Sequence, residues 1–311
     1  MSTSETSKEH FVVGIDGSSE AVAAARWAIA RAGRTGAKVT LLCAYALASY
    51  NASALDGGFA MLDDETLREG AQAAVDEVAA QIKEETGVEV ETRVEPGDPA
   101  TVLTDASRQV DLVVLGSRGR GGVADRLLGS VSAALPGRAK CPTVVVPQHK
   151  SGKPFTPVER IVVGTDGSDV ASNALSLAVS EALVWDAKLT AIAAIPISSG
   201  VGFMWLPTIM NRTEIVDDVK QGLNEALEKA VDGRPVRASG HALDGSPAAL
   251  LTEFSTAVDL IVVGSRGRGG FAGLVLGSTS QTVLEHSTCP VMVVPSKMEN
   301  QQRMMDAWER R

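Results

Sequence analysis

The sequence predicts a two-domain α/β protein in which each half is a doubly wound, five-stranded parallel sheet. Three observations carry this expectation. The chain has 311 residues, too many for one ordinary core and suited to two units of roughly 150 each. It also repeats itself in order. VVGIDGSS at Val12–Ser19 returns as VVGTDGSD at Val162–Asp169, GSRGRGG at Gly116–Gly122 returns unchanged at Gly264–Gly270, and CPTVVVP from Cys141 returns as CPVMVVP from Cys289. The offset is 150 for the first pair (162 minus 12) and 148 for the others (264 minus 116, 289 minus 141). Within each half, short β-branched apolar runs alternate with longer segments of helical period.

Taken in order, the first half reads as strand FVVGI from Phe11, a helix over Glu20–Ala32, strand KVTLLCAY from Lys38, a helix over about Asp64–Glu85 and strand VEVETRV from Val88. A helix over Pro99–Arg108, strand DLVVLG from Asp111, a helix over Gly129–Arg138 and strand PTVVVP from Pro142 complete it. Valine-rich runs bounded by turn residues suit buried strands. PGDPA and DGSPA set Asp98 and Ser246 as N-caps, each with proline at the first helical position. The second half repeats the pattern. Residues 1–150 form the first domain on this reading, 151–157 within HKSGKPFTPVE a linker, 158–296 the second domain, and 297–311 a polar tail with no assigned function. Right-handed crossovers give a flavodoxin-like, doubly wound sheet whose crevice opens at the carboxyl ends of the strands, where the strand order reverses. That point is expected between the first and fourth strands, where GIDGS and GSRGRGG meet.

Composition narrows the function. Hydrophobic residues make up 44% and charged residues 22% of the chain, which excludes a disordered or collagen-like class. A net charge of −9 and an isoelectric point near 5.1 argue against nucleic acid or an anionic membrane as partner, since both need a basic face. The three cysteines (Cys43, Cys141, Cys289) form no CxxC pair and fit a reducing compartment. The polar N-terminus and the lack of any run of 18 apolar residues lead to an expectation of a cytoplasmic protein.

Glycine loops suit phosphate chains, because no Cβ blocks approach to the backbone N–H donors and a following helix N-terminus adds more. Here Gly116 and Gly119 follow a strand, nine residues intervene, and Gly129-Ser130 opens the next helix; Gly264, Gly267, Gly277 and Ser278 repeat this. No GK[ST] is present, so the loop is not a Walker A loop. GRGGVA at Gly119–Ala124 and GRGGFA at Gly267–Ala272 satisfy GxGxxA by letter, but they follow the fourth strand rather than the first, which discounts the dinucleotide fingerprint.

The pattern G-2x-G-9x-G-[S/T], an Asp ending the first strand and the five-strand layout resemble the universal stress protein family, in its tandem, ATP-binding, actinobacterial form. The resemblance spans nearly the whole chain, twice. It implies ATP as ligand, with Asp16 and Asp166 beside the ribose and the metal-bound phosphates, and Mg²⁺ as the cation. It places Ala44 and Ala194 where backbone recognises adenine. Gly14, Gly116, Arg118, Gly119, Gly129, Ser130, Val131 and Ser132 border the first site; Gly164, Arg266, Gly264, Gly267, Gly277, Ser278, Thr279 and Ser280 are their counterparts. It also implies edge pairing between the fifth strands, Val144–Pro147 and Val291–Pro295, as an intramolecular pseudo-dimer or a homodimer, and an unidentified protein partner.

Plainer roles stand beside these. Glycine loops often only turn the chain. Arg118, Arg120, Arg266 and Arg268 either clamp phosphates or solvate a loop, and Asp16 has the chemistry to cap an Asp-Gly turn. The cysteines read as small core residues. His10, His149, His241 and His286 are scattered and support neither a metal site nor a Ser-His-Asp arrangement. Pro136, where the second half has Leu284, is expected to interrupt its helix and reshape the first site. Met204 and Trp205 are expected to pack between domains rather than cover a ligand. The resulting reading is an ATP-binding regulatory module of the stress response. The alternatives are a slow ATPase or other adenine-nucleotide phosphohydrolase, with Asp16 or Asp166 as its general base, and a structural dimerisation module.

Overall fold

The computed structural model describes residues 8–45, 64–119, 127–148, 154–195, 212–268 and 275–298. The expectations for Arg120, His149, Met204, Trp205 and most of the tail fall outside them. The first half runs β1 (His10–Gly14), α1 (Ser19–Thr35), β2 (Lys38–Tyr45), α2 (Asp64–Thr86), β3 (Glu91–Pro96), α3 (Pro99–Ala106), β4 (Leu112–Gly116), α4 (Ser130–Arg138) and β5 (Thr143–Val146). The second half repeats it as β6 (Arg160–Thr165), α5 (Asp169–Trp185), β7 (Lys188–Ile195), α6 (Arg212–Val231), β8 (Arg237–Asp244), α7 (Pro247–Phe254), β9 (Leu260–Gly264), α8 (Ser278–His286) and β10 (Val291–Val294).

The strands form one ten-stranded sheet in the order β3-β2-β1-β4-β5-β10-β9-β6-β7-β8. Within each half all pairings are parallel, and the order turns back between β1 and β4, and between β6 and β9. β4 and β9, covered on both faces, are buried along Leu112–Leu115 and Leu260–Val263. The halves join through β5 and β10, which pair antiparallel with Val145 opposite Val291 and Val144 opposite Met292. The apolar edge of each half is thereby covered by the other. Because that pairing is antiparallel, the carboxyl ends of the strands in one half lie at the opposite end of the sheet from those in the other.

Local chemistry explains the helix boundaries. Ser18 and Ser168 cap α1 and α5 by accepting from the N–H groups of Ala21 and Ala171. Gly36, at φ 70°, ends α1 in the left-handed conformation that glycine adopts without strain. Asp98 and Ser246 stand at the N-caps of α3 and α7 as expected.

Two expectations need correction. VEVETRV places the third strand too early: β3 begins at Glu91, opposite Thr40, and Val88 is exposed. β3 is an outer edge with one neighbour, and its pairing with β2 begins at Glu91 although β2 itself extends back to Lys38. Nor does Pro136 end its helix, since α4 and α8 are both nine residues long. Pro136 can donate no backbone bond of its own, yet α4 runs on to Arg138 and Ala139 still donates to the Leu135 carbonyl.

A continuous apolar layer under α1, α2, α5 and α6 includes Phe11, Trp27, Ile82, Leu175 and Trp185 and crosses from one half to the other. The opposite face holds two smaller clusters. At the α1–α5 crossing, buried Arg31 forms a bidentate pair with Glu181, its Nη2 standing 2.6 Å from Oε1, and also reaches Glu9 at 3.4 Å. Trp185 donates to the same Glu181 at 3.2 Å, and its ring lies 6.0 Å from that of Trp27. Burial alone lowers the Arg31 pKa, but the charges of Glu181 and Glu9 outweigh it and hold the guanidinium above the ordinary arginine value.

Candidate functional site

In each half the turn after the first strand faces the loop after the fourth. Asp16 Oδ1 accepts from the Ser18 N–H at 3.0 Å and from its hydroxyl at 2.6 Å, and the same Ser18 caps α1. Asp166 does the same with Ser168. The turn-capping role considered for Asp16 is therefore filled by Oδ1, which leaves Oδ2 directed at the glycine loop. A Cβ placed on Gly119 would lie 2.2 Å from Asp16 Oδ2, and one on Gly267 would lie 2.3 Å from Asp166 Oδ2. Only glycine permits this approach. Gly116 is tight for another reason: a Cβ there would stand 2.6 Å from the backbone carbon of Glu20, so it packs β4 against the first turn of α1.

The loop is pinned at both ends. Ser117 N–H donates to Val146 and Gly129 N–H donates to Ser117, each at 2.8 Å; Ser265 and Gly277 repeat these bonds. Ser132 and Ser280 donate their hydroxyls to the carbonyls of Gly116 and Gly264 at 2.6 Å. These two residues line the site while their side chains hold the loop.

A contrast between helices gives the site its electrostatics. α1 and α5 are closed by serine side chains, whereas α4 and α8 open at Gly129 and Gly277 with no side-chain cap bond. Among the described residues no N-cap side chain occupies the first turns of α4 and α8, whose residues Ser130–Ser132 and Ser278–Ser280 line the crevice, where a helix start favours an anion. At Asp166, packing of the carboxyl raises its pKa. The Ser168 hydroxyl and the N–H groups of Arg268 and Ser168 outweigh that effect and hold it below the usual carboxylate value. The Arg268 N–H reaches Asp166 Oδ2 at 2.6 Å, and its guanidinium reaches the Gly167 carbonyl at 3.2 Å.

These groups border a cavity of about 250 Å³ in the first half and about 400 Å³ in the second. All ten residues singled out in each half line its cavity, from Gly14 to Ser132 and from Gly164 to Ser280. Ala44 and Ala194 stand at its far side. The Ile15 N–H donates to Leu42, and strand alternation puts the backbone groups of Ala44 on that same edge, past this last bond. Sequence reasoning missed the apolar wall: Leu42, Leu103 and Leu115 in the first cavity, Ile192, Leu251 and Val263 in the second. Its signal was present in the paired PGDPA and DGSPA segments, since Pro99 and Pro247 line the cavities as well. A slot with one apolar wall and one wall of backbone N–H groups suits a flat ring bearing a phosphate chain.

A family model for the universal stress protein family matches residues 8–147 and again 157–295. The chain belongs to the universal stress protein family. Among similar relatives, a universal stress protein of Mycolicibacterium smegmatis is 33% identical over 292 residues, covering 91% of this chain and 96% of its own. One from Mycobacterium tuberculosis is 31% identical over 294 residues, covering 93% and 98%. The fold matches the crystal structure of a universal stress protein from Archaeoglobus fulgidus, with a TM-score of 0.64 at 21% identity over 92% of this chain and 96% of that one. A Pseudomonas aeruginosa protein of unknown function matches with a TM-score of 0.62 at 18% identity over 99% of this chain and all of its own. In this universal stress protein, among the described residues, no helix is long and apolar enough to cross a membrane, and no three His, Cys, Asp or Glu side chains cluster as a metal site.

Proposed function

We propose that the chain binds ATP in both cavities and acts in the cytoplasm as a nucleotide-dependent regulatory module of the stress response. One observation carries this reading. The glycine loop, an Asp carboxylate and a helix start without a side-chain cap converge on an apolar slot, and they do so twice with the same Asp-to-Ser and serine-to-glycine-carbonyl hydrogen bonds. Gly119, Gly129, Ser130 and Val131 would hold the phosphates and ribose of the first nucleotide, Gly267, Gly277, Ser278 and Thr279 those of the second. Ala44 and Ala194 would meet the adenine edge through their backbone groups. Arg118 and Arg266 line the mouths, where guanidinium groups suit phosphate oxygens.

Asp16 and Asp166 fit Mg²⁺, which binds through one or two carboxylates and keeps its remaining positions for water and phosphate. Mg²⁺ would neutralise the repulsion between carboxylate and phosphates. The three cysteines are buried and form no disulfide, which supports a reducing compartment. Protein partners, including a second copy of the chain, would then be chosen by nucleotide occupancy.

The test is thermal unfolding with and without ATP and Mg²⁺. Ligand at about 100 times its dissociation constant stabilises a protein by roughly 2.7 kcal/mol, which corresponds to a shift on the order of 5 °C or more for a unit of this size. The parent should show that shift. Gly119→Ala with Gly267→Ala should lose it while keeping the ligand-free melting temperature within a few degrees. An undiminished shift in the double variant would remove the glycine loops from the ligand site.

A further inference from the structure

Each glycine-opened helix reaches across the junction between the halves. α4 starts at the first cavity, which Ser130, Val131 and Ser132 line, and its nine residues span about 13 Å at 1.5 Å each. Its last turn lies against the loop of the other cavity. A Cβ on Gly137 would stand 2.7 Å from the Val275 carbonyl oxygen and 2.8 Å from Val275 Cγ1. Val275 is two residues before Gly277, which opens α8 and lines the second cavity. In the reverse direction, Leu128 lines the first cavity and is buried to 8% exposure in the apolar cluster of the second half, with Val283 and Leu284 of α8.

We propose that the two cavities are energetically coupled through these contacts, so that a nucleotide in one changes the affinity of the other. Gly137 and Val275 serve as positioning residues that touch neither ligand. The inference rests on the nucleotide-binding reading above. Its physical basis is that the carbonyl and the Cγ1 of Val275 both pack into the space a side chain at Gly137 would need, and close-packed contacts pass on displacement rather than absorb it. A phosphate drawing in the start of α8 also moves Val275, and Val275 can move only with α4, whose other end serves the first ligand. The repeat is uneven here: the position equivalent to Gly137 is Glu285 (285 minus 148), so the close approach that a missing Cβ allows is available on one side only.

The experiment is a calorimetric titration of the full chain with ATP and Mg²⁺. Gly267→Ala gives the binding constant of the first cavity alone, and Gly119→Ala that of the second alone. The parent gives the overall constant for taking up two ligands. The ratio of that overall constant to the product of the single-cavity constants should depart from unity by at least fivefold, within the usual range for coupled sites. Val275→Ala, at a half-exposed position, should bring the ratio to within twofold of unity, and Gly137→Ala should change it with both cavities still able to fill. A parent ratio of unity overturns the coupling and leaves nucleotide binding standing, as does a departure that neither Val275→Ala nor Gly137→Ala moves. A parent that takes up no ATP overturns the binding reading, and the coupling with it.

Discussion

Asp166 holds its carboxylate against three hydrogen-bond donors, and that has a consequence for acid stability. A carboxyl group with a depressed folded-state pKa contributes stability above its unfolded value of 3.8, and loses it as pH falls through the lower folded value. Asp166→Asn should therefore lower stability near neutrality and converge with the parent below about pH 4, so that its acid limb is flatter. Melting temperatures measured from pH 6 to 2.5 check this; parallel acid limbs in parent and variant would exclude it. The cysteines give a second test. Burial, with the Asp259 charge adding to it, pushes the Cys289 thiol up to about 12 and raises Cys141 further still, while Cys43 is 6% exposed. None should be alkylated by iodoacetamide at pH 8 in the folded protein, and all three should be once it is unfolded, as intact mass would report. At this scale the polar half of the site was legible because glycine, Asp and Ser recur in register. The apolar wall was marked only indirectly, by the paired Pro99 and Pro247 segments, because apolar residues on a buried strand or helix look the same whether they face a neighbouring element or an empty slot.

Among the elements, the α1–α5 crossing is where the two halves are told apart. Arg31 and Glu181 occupy equivalent positions in the repeat (181 minus 31 is 150), so a pairing of like halves would set arginine on arginine or glutamate on glutamate. Removing one partner of a buried ion pair costs about 3–5 kcal/mol. Arg31→Glu and Glu181→Arg should each lose stability on that order, and the combined swap should lose much less than the two losses added. Denaturant unfolding of the four proteins measures the coupling; additive losses would show that the pair does not select its partner. Strand and helix order followed from periodicity and turn residues, and Asp98 and Ser246 were legible as caps. The late start of β3 was not, because the Val88–Val94 alternation carries no mark of where an edge strand begins to pair with its single neighbour. The partnership of Arg31 and Glu181 left no local trace either, being a contact across 150 residues of sequence.

For the molecule as a whole, the apolar layer under α1 and α5 belongs to both halves, and β5 and β10 complete each other's edges. Unfolding one half would expose Val144, Val145, Val291 and Met292 together with the Trp27–Trp185 contact. A single calorimetric transition is expected, with calorimetric and van't Hoff enthalpies in agreement; two resolved transitions would mean that the halves are stable alone. The duplicated sequence announced two similar units, but only the resemblance to a family indicated that they share one sheet.

The antiparallel junction has one more consequence. Since the strands of the two halves run in opposite directions, the mouths of the cavities point away from each other, one at each end of the sheet. No single rigid body can close both. On the proposed reading, whatever senses ligand in the cavities would do so one end at a time, and a chain with both filled would act as a bivalent link between two bodies rather than one platform for a single guest.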